Sequence, residues 1–329
     1  LIERIEQEAA AAVTLPETVN QGDISIGLPS DPANIIHPLS VVAKALLHLP
    51  EDTSAIPGSS ITGALARLLK SSEVLWRSES SSNRHIVKCD AEIIVKCVDN
   101  NGDFTEYTSI KYLETHKPQI PVPRPHGLIV SGKLAYIFMS LIPGSTLAAV
   151  WEHHLDGSQK TLLRDEINSI FSDLRQLECP EGTPLGGVGG EGCKDVRRNT
   201  KRCNRPLYTG SQFWDFQYSE THCRSQIYLQ FLRDLTRPLQ SSKCVFTHGD
   251  VHPLNIMVER NNSGEYHISG LVDWERSGFY PEDFECTKIT KCLATDETND
   301  WYLYLPACIS PFTYTSRWLS DSMWDIFVA

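Results

Sequence analysis

The order of apolar and polar positions divides the chain into three stretches. From residue 1 to about 72, short helical patterns alternate with breaks rich in Pro, Gly, Asp and Ser. Ser40 is placed to cap a helix through Val41, Val42, Leu46 and Leu47, and Ile61, Leu65, Leu68 and Leu69 recur at helical spacing. The pattern then turns strand-like. Val74-Leu75-Trp76, His85-Ile86-Val87 and residues 93–98 predict three strands, with turns over 78–84 and 88–90. Residues 105–116 return to the helical period with Tyr107, Ile110 and Leu113 on one stripe, and residues 134–139 predict a further strand. Beyond Pro143-Gly144 the helical period dominates. Leu162, Leu163, Ile167, Ile170, Phe171 and Leu174 mark an amphipathic helix, residues 212–235 predict another, and Trp301, Tyr302, Tyr304, Trp318 and Trp324 are expected to close a helical core. The expected division is a helical N-terminal extension over 1–72, a sheet-forming lobe over 73–142 and a mostly helical lobe over 143–329.

Composition narrows the class. A chain of 329 residues with 41% hydrophobic positions can bury a substantial core, as one large two-lobed domain or two ordinary ones. Its 30 basic and 41 acidic residues leave a net charge of −11, which argues against a general binder of nucleic acid or of anionic membranes. Ten cysteines without a C-x-x-C pair predict free thiols in a reducing compartment. The first residues, Leu1-Ile2-Glu3-Arg4, are too charged for a secretory signal, and no run reaches transmembrane length. A cytoplasmic protein is therefore expected, and Leu1 at the start leaves room for a missing or removed initiator segment.

The chemistry is concentrated late in the chain. Thr247-His248-Gly249-Asp250-Val251-His252-Pro253-Leu254-Asn255 spaces an Asp and an Asn by five, and Leu271-Val272-Asp273-Trp274-Glu275 delivers a second Asp after another apolar run. Phosphoryl transfer needs a carboxylate to orient the attacking hydroxyl and oxygen ligands to hold Mg²⁺ against the phosphates. This pattern resembles the aminoglycoside phosphotransferase and choline kinase branch of the protein-kinase-like superfamily, whose catalytic loop reads H-G-D-x-x-x-x-N and whose metal Asp sits in an I-D-W-E or I-D-F-E context. It is most similar to the filamentous-fungal set of such proteins, with which Ile120-Pro121-Val122-Pro123 and Gly278-Phe279-Tyr280-Pro281-Glu282 also agree. The resemblance covers about residues 85 to 329 and rests on both blocks occurring in this order.

The resemblance implies an α+β, bilobal protein-kinase-like fold: a small antiparallel-sheet lobe with one helix, which binds the nucleotide, and a large mostly helical lobe. It implies ATP and Mg²⁺ as cofactors and a small-molecule alcohol as the second substrate. In that reading Asp250 is the catalytic base, and Asn255 and Asp273 are the metal ligands. Lys96, on the same strand face as Ile94 and Val98, holds the α and β phosphates and is oriented by Glu106, with Glu114 in reserve. Backbone groups of Met139, Ser140, Leu141 and Ile142 meet the adenine. His248 is expected to hydrogen-bond backbone near Asp273.

Three features depart from the pattern or compete with it. Residues 78–84 contain no glycine, so close backbone approach to the phosphates there falls to serines and backbone N–H groups. Gly187-Val188-Gly189-Gly190-Glu191-Gly192 fits G-x-G-x-x-G but follows a loop, and is expected to face substrate rather than a dinucleotide. Lys194, Arg197, Arg198, Lys201, Arg202 and Arg205 form a basic cluster, expected as a solvated loop or as a contact for an anionic acceptor. Two rival functions stay open: a catalytically silent kinase-like binding protein, and a kinase whose phosphorylation activates a hydroxyl for elimination. Neither the acceptor nor the oligomeric state is legible.

Overall fold

The strand-like stretches form strands in the computed structural model, which describes residues 27–78, 83–195, 201–203, 205–218, 225–236 and 243–327. Expectations placed on residues 1–26, on 79–82 of the glycine-free turn and on Arg197 and Arg198 lie outside the described residues. The chain divides into two units.

The first unit comprises the described part of Ile2–Asp103 together with Val122–Pro143. Its elements are β1 (Ala33–His37), α1 (Val41–Leu46), α2 (Gly58–Ser71), β2 (Glu73–Arg77), β3 (His85–Lys88), β4 (Ile93–Asp99), β5 (Pro125–Ser131) and β6 (Leu134–Ser140). The six strands form one antiparallel sheet in the order β1-β5-β6-β4-β3-β2. β1 and β5 were not expected as strands. β1 is an edge strand that buries only Ala33 fully, and the β5 register shifts between Pro125 and Gly127, so neither carries a clean period of two. Ser40 caps α1 by accepting from the Ala43 N–H. Leu65, Leu68 and Leu69 of α2 share one core with Val87, Val95, Cys97, Tyr136 and Phe138 of the sheet, so the stretch before residue 73 belongs to this core. Because Val95 and Cys97 fill that core, alternation turns Lys96 to the other face of β4, where it too is buried.

The second unit comprises Phe104–Pro121 and Gly144–Ala329. Helix α3 (Thr105–His116), expected with the sheet, falls here: Tyr112 stacks on Phe246 and meets Phe279 edge-on, and Ser109 accepts a hydrogen bond from Ser277 at 2.7 Å. After β7 (Ser145–Thr146) and α4 (Leu147–Trp151), Asp156 caps α5 (Gly157–Leu174), which buries Leu163, Ile167, Phe171 and Leu174. Leu162, counted on the expected stripe, is exposed. β8 (Lys194–Asp195) and β9 (Lys201–Arg202) pair, and α6 (Gly210–Gln217) and α7 (Gln226–Thr236) follow. These two replace the single helix expected over 212–235, because α6 is capped at Tyr218 and Ser225 starts a new helix by accepting from the Tyr228 N–H.

The rest of this unit builds the site. β10 (Cys244–Thr247) pairs with β13 (Gly278–Pro281), and β11 (Ile256–Arg260) lies between β12 (Tyr266–Leu271) and β7. α8 (Glu285–Lys288) and α9 (Thr315–Phe327) follow. Trp301 packs edge-on against Trp151, and Trp324 joins Trp214 and Tyr218 in a satellite core. Every cysteine among the described residues is free, and no helix among them is long and apolar enough to cross a membrane.

Candidate active site

Local pairing explains how distant residues meet. In the β11–β12 hairpin Ile256 lies opposite Leu271, and the next rung is the Val272 N–H donating to the Asn255 carbonyl at 3.0 Å. The residue just before β11 and the residue two past β12 are thereby brought to one end of the hairpin. These are Asn255 and Asp273. The loop from His248 to Asn255 closes on itself: the Asn255 side-chain amide donates to the Asp250 carbonyl at 2.9 Å, and His252 caps the turn Pro253–Asn255 by accepting from the Leu254 N–H. With its nitrogen engaged as a donor, Asn255 can offer a cation only its oxygen.

Gly249 is required for two reasons. Its φ is +81°, and a Cβ there would lie 2.5 Å from the Arg276 carbonyl oxygen. Asp273 also adopts a left-handed backbone, φ +66°, which Asp tolerates better than most residues. Glu285 anchors the loop from below. Its carboxylate accepts from the His248 N–H at 2.8 Å and the Gly249 N–H at 2.9 Å. Burial pushes its carboxyl up to about 7, against the lowering effect of those two donors.

The charged groups sort themselves around Asp250. One carboxylate oxygen accepts from the Arg276 guanidinium at 2.6 Å, and His252 Nε2 lies 3.9 Å from the other. The His248 ring is fixed as a neutral tautomer: Nδ1 accepts from the Asp250 N–H at 3.2 Å, so the proton sits on Nε2, which donates to the Val272 carbonyl at 3.1 Å. Burial, partly countered by Asp250 and Asp273, pushes this imidazole down to about 4. His248 thus braces the loop beside Asp273 and stays uncharged at neutral pH.

Asp273 meets two further carboxylates. One oxygen from each of Glu106, Asp273 and Glu275 lies within 4.8 Å of the others, with Glu106 buried. Three carboxylates at such range repel one another, and hard oxygen donors so arranged suit a divalent cation such as Mg²⁺. Glu106 was expected beside Lys96; its position in this unit adds it to the candidate metal ligands.

The phosphotransferase enzyme family model matches residues 105–302, more than half of the chain. The chain belongs to this family. Its fold is protein-kinase-like. Among solved structures, it is similar to the ternary complex of streptomycin, ATP and APH(2")-IIa, with TM-score 0.52, 14% identity, and 84% of this chain and 90% of that one covered. It is also similar to the gentamicin complex of APH(2")-IIa, with TM-score 0.51, 13% identity, and 82% and 85% covered. A search of curated proteins finds no match.

Within this phosphotransferase chain the glycine-rich segment packs against β13 and α3. Gly186 exchanges backbone hydrogen bonds with Phe279, and Glu191 accepts from Thr108 of α3 at 2.7 Å and from the Gly189 N–H at 2.8 Å. Gly278 is required opposite it, since a Cβ there would meet the Gly186 carbonyl at 2.2 Å. Lys194, the first member of the basic cluster, is buried and donates to Thr105 Oγ1 at 2.6 Å and to the Glu275 carbonyl at 2.7 Å. Lys96 and the segment from Met139 to Ile142 belong to the sheet unit. There the N–H groups of Ser140 and Leu141 donate to the Arg124 and Glu92 carbonyls.

Arg276, Glu275 and Glu285 escaped the sequence reading. Arg276 and Glu275 carried a local signal, since they directly follow the Asp273-Trp274 pair. Glu285 carried none, because its role depends on α8 lying beneath a loop 36 residues earlier than Glu285.

Proposed function

We propose that the chain transfers the γ-phosphoryl group of ATP to a hydroxyl of a small molecule. The observation that carries this reading is Asp250, held by Arg276 at 2.6 Å in a loop whose two preceding amides are anchored on one buried carboxylate. In the reaction a bond forms between the acceptor oxygen and the γ-phosphorus, the bond to the β-phosphate oxygen breaks, and ADP leaves. Asp250 orients the hydroxyl and takes its proton late, as the new bond develops. Arg276 limits the positions open to that carboxylate, which favours a fixed line of attack.

Asn255 and Asp273 would hold Mg²⁺, with Glu106 and Glu275 close enough to Asp273 to share in it. When bound, the ion would neutralise charge on the phosphates. Lys96 would hold the α and β phosphates, and the free backbone groups among Met139, Ser140, Leu141 and Ile142 would meet the adenine. Family membership supports the transferase chemistry, and the similarity to nucleotide-bound APH(2")-IIa supports ATP as donor.

The glycine-free turn over 78–84 favours one rival, a silent binding protein. Calorimetry with ATP in the presence and absence of Mg²⁺, together with ADP release in the wild type and Asp250→Asn, separates the two. The transferase reading expects Mg²⁺-dependent ATP binding in both proteins and turnover in the wild type alone. Binding without turnover in both would favour the silent protein.

A further inference from the structure

One ammonium joins the two segments that carry the clustered carboxylates. Lys194, in β8, is buried, and its Nζ donates to Thr105 Oγ1 at 2.6 Å and to the Glu275 carbonyl at 2.7 Å. Thr105 opens α3 and immediately precedes Glu106, while Glu275 follows Asp273 on the other segment. The oxygens of Glu106, Asp273 and Glu275 that lie within 4.8 Å of one another thus stand on two backbones that Lys194 ties together. Lys194 is itself held on either side. Its N–H donates to the Tyr280 hydroxyl of β13 at 3.1 Å, and the next residue, Asp195, is buried in an ion pair with Lys288 of α8 at 3.0 Å.

Taking an ammonium out of water costs free energy that only well-placed acceptors offset. Here two of those acceptors belong to the very segments that must converge on a cation. Three carboxylates drawn together repel one another until a cation arrives, so a metal-free site tends to spread. A tie between the two backbones sets their separation in advance and leaves less ordering for cation binding to impose. We propose that Lys194 is a positioning residue for the candidate metal site, joining the start of α3 to the Asp273–Glu275 segment so that Mg²⁺ meets carboxylates already gathered. This inference rests on the phosphotransfer reading and adds to it a residue that acts through other residues. It also fixes a sign. Acting through its charge alone, a lysine beside the site would oppose a dication, and its removal would strengthen Mg²⁺ binding; acting by position, its removal weakens it.

The test is calorimetric titration with ADP over a series of Mg²⁺ concentrations, reading the Mg²⁺ concentration at which ADP binding is half-maximal. In Lys194→Met this concentration should rise about tenfold, and at saturating Mg²⁺ the ADP affinity should return to within about threefold of the wild type. Thr105→Val keeps the ammonium and removes one of its acceptors. It should shift the requirement in the same direction by about threefold, and the double variant should shift no further than Lys194→Met alone, because both changes break one joint. Lys288→Gln, which weakens the neighbouring buried pair, controls for general loosening and should stay within about twofold of the wild type. Thermal unfolding confirms that each variant is folded, and if Lys194→Met does not fold, the Thr105→Val shift decides. A requirement unchanged or lowered in Lys194→Met or Thr105→Val, an ADP affinity that saturating Mg²⁺ does not restore, shifts that add in the double variant, or an equal shift in Lys288→Gln would each overturn the assignment. The wild type separates this failure from the other. If its ADP binding shows no Mg²⁺ dependence, the phosphotransfer reading fails together with its metal site. If the dependence is present and Lys194→Met leaves it unmoved, only the role of Lys194 is wrong.

Discussion

Replacing Glu285 with Gln should change the slope of stability against pH. Burial raises this carboxyl from its ordinary 4.5 to about 7, while in the unfolded chain it ionises near its ordinary value. Between those two values the folded protein holds the extra proton, so the stability contributed by Glu285 is present below 4.5 and lost as the pH rises to about 7. At about 1.4 kcal/mol per tenfold change in proton affinity, the loss is on the order of 3 kcal/mol. His248 acts in the opposite sense. Burial lowers its ring from 6.5 to about 4, so the unfolded chain holds the extra proton in that window and stability rises with pH. The size is again on the order of 3 kcal/mol, and in the wild type the two slopes largely offset. Glu285→Gln also turns one accepting oxygen into a donor facing a buried N–H, which costs about 1–3 kcal/mol at every pH. The signature is the difference: from about pH 4.5 to 8 the variant should gain roughly 3 kcal/mol relative to the wild type. Urea unfolding of both proteins across this range reads it directly. Parallel stability curves would refute the buried, proton-holding anchor.

Three further outcomes follow from the same geometry. Gly249→Ala, which forces a left-handed alanine whose Cβ lies 2.5 Å from the Arg276 carbonyl, should destabilise the protein by about 2–4 kcal/mol in urea unfolding; a loss below about 0.5 kcal/mol would mean that the loop relaxes freely. Arg276→Gln should lower kcat about tenfold to a hundredfold while the KM for ATP stays within about threefold, and Arg276→Lys should recover part of the loss; an equal fall in both parameters would remove Arg276 as the group that positions Asp250. Asp273→Asn should abolish the Mg²⁺ dependence of nucleotide binding, and Glu106→Gln should raise the Mg²⁺ requirement about tenfold in calorimetric titrations; an unchanged requirement in Glu106→Gln would remove it from the metal set.

What could be read from the chain was what local physics decides. β4 was legible from its apolar run, α5 from its stripe and α1 from its cap at Ser40. The sheet edges were not: β1 leaves most of its residues partly exposed, and a bulge breaks the period of β5. The candidate loop could be singled out because its parts lie within eight residues, and a hydrogen bond from the Asn255 side chain to the Asp250 carbonyl closes it. Glu106 shows the limit of such reading. Its helix position was right, but only the packing of α3 against Phe246 and Phe279 takes it to Asp273 and Glu275. Lys194 shows another: a run of basic residues reads as solvated, yet Thr105 and the Glu275 carbonyl supply acceptors that let this one be buried. Glu285 becomes significant only once α8 comes up beside the loop, where its carboxylate meets the His248 and Gly249 N–H groups.

The central claim is transfer from ATP to a small hydroxyl compound with Asp250 as base. The direct measurement is the fate of phosphorus label placed at the γ position of ATP, with Mg²⁺ and a deproteinised extract of small metabolites as the acceptor source. The expected result is label in a small phosphate monoester, matched by an equal amount of ADP and lost with Asp250→Asn. Label found only in ATP or inorganic phosphate, or transferred equally well by Asp250→Asn, would contradict it.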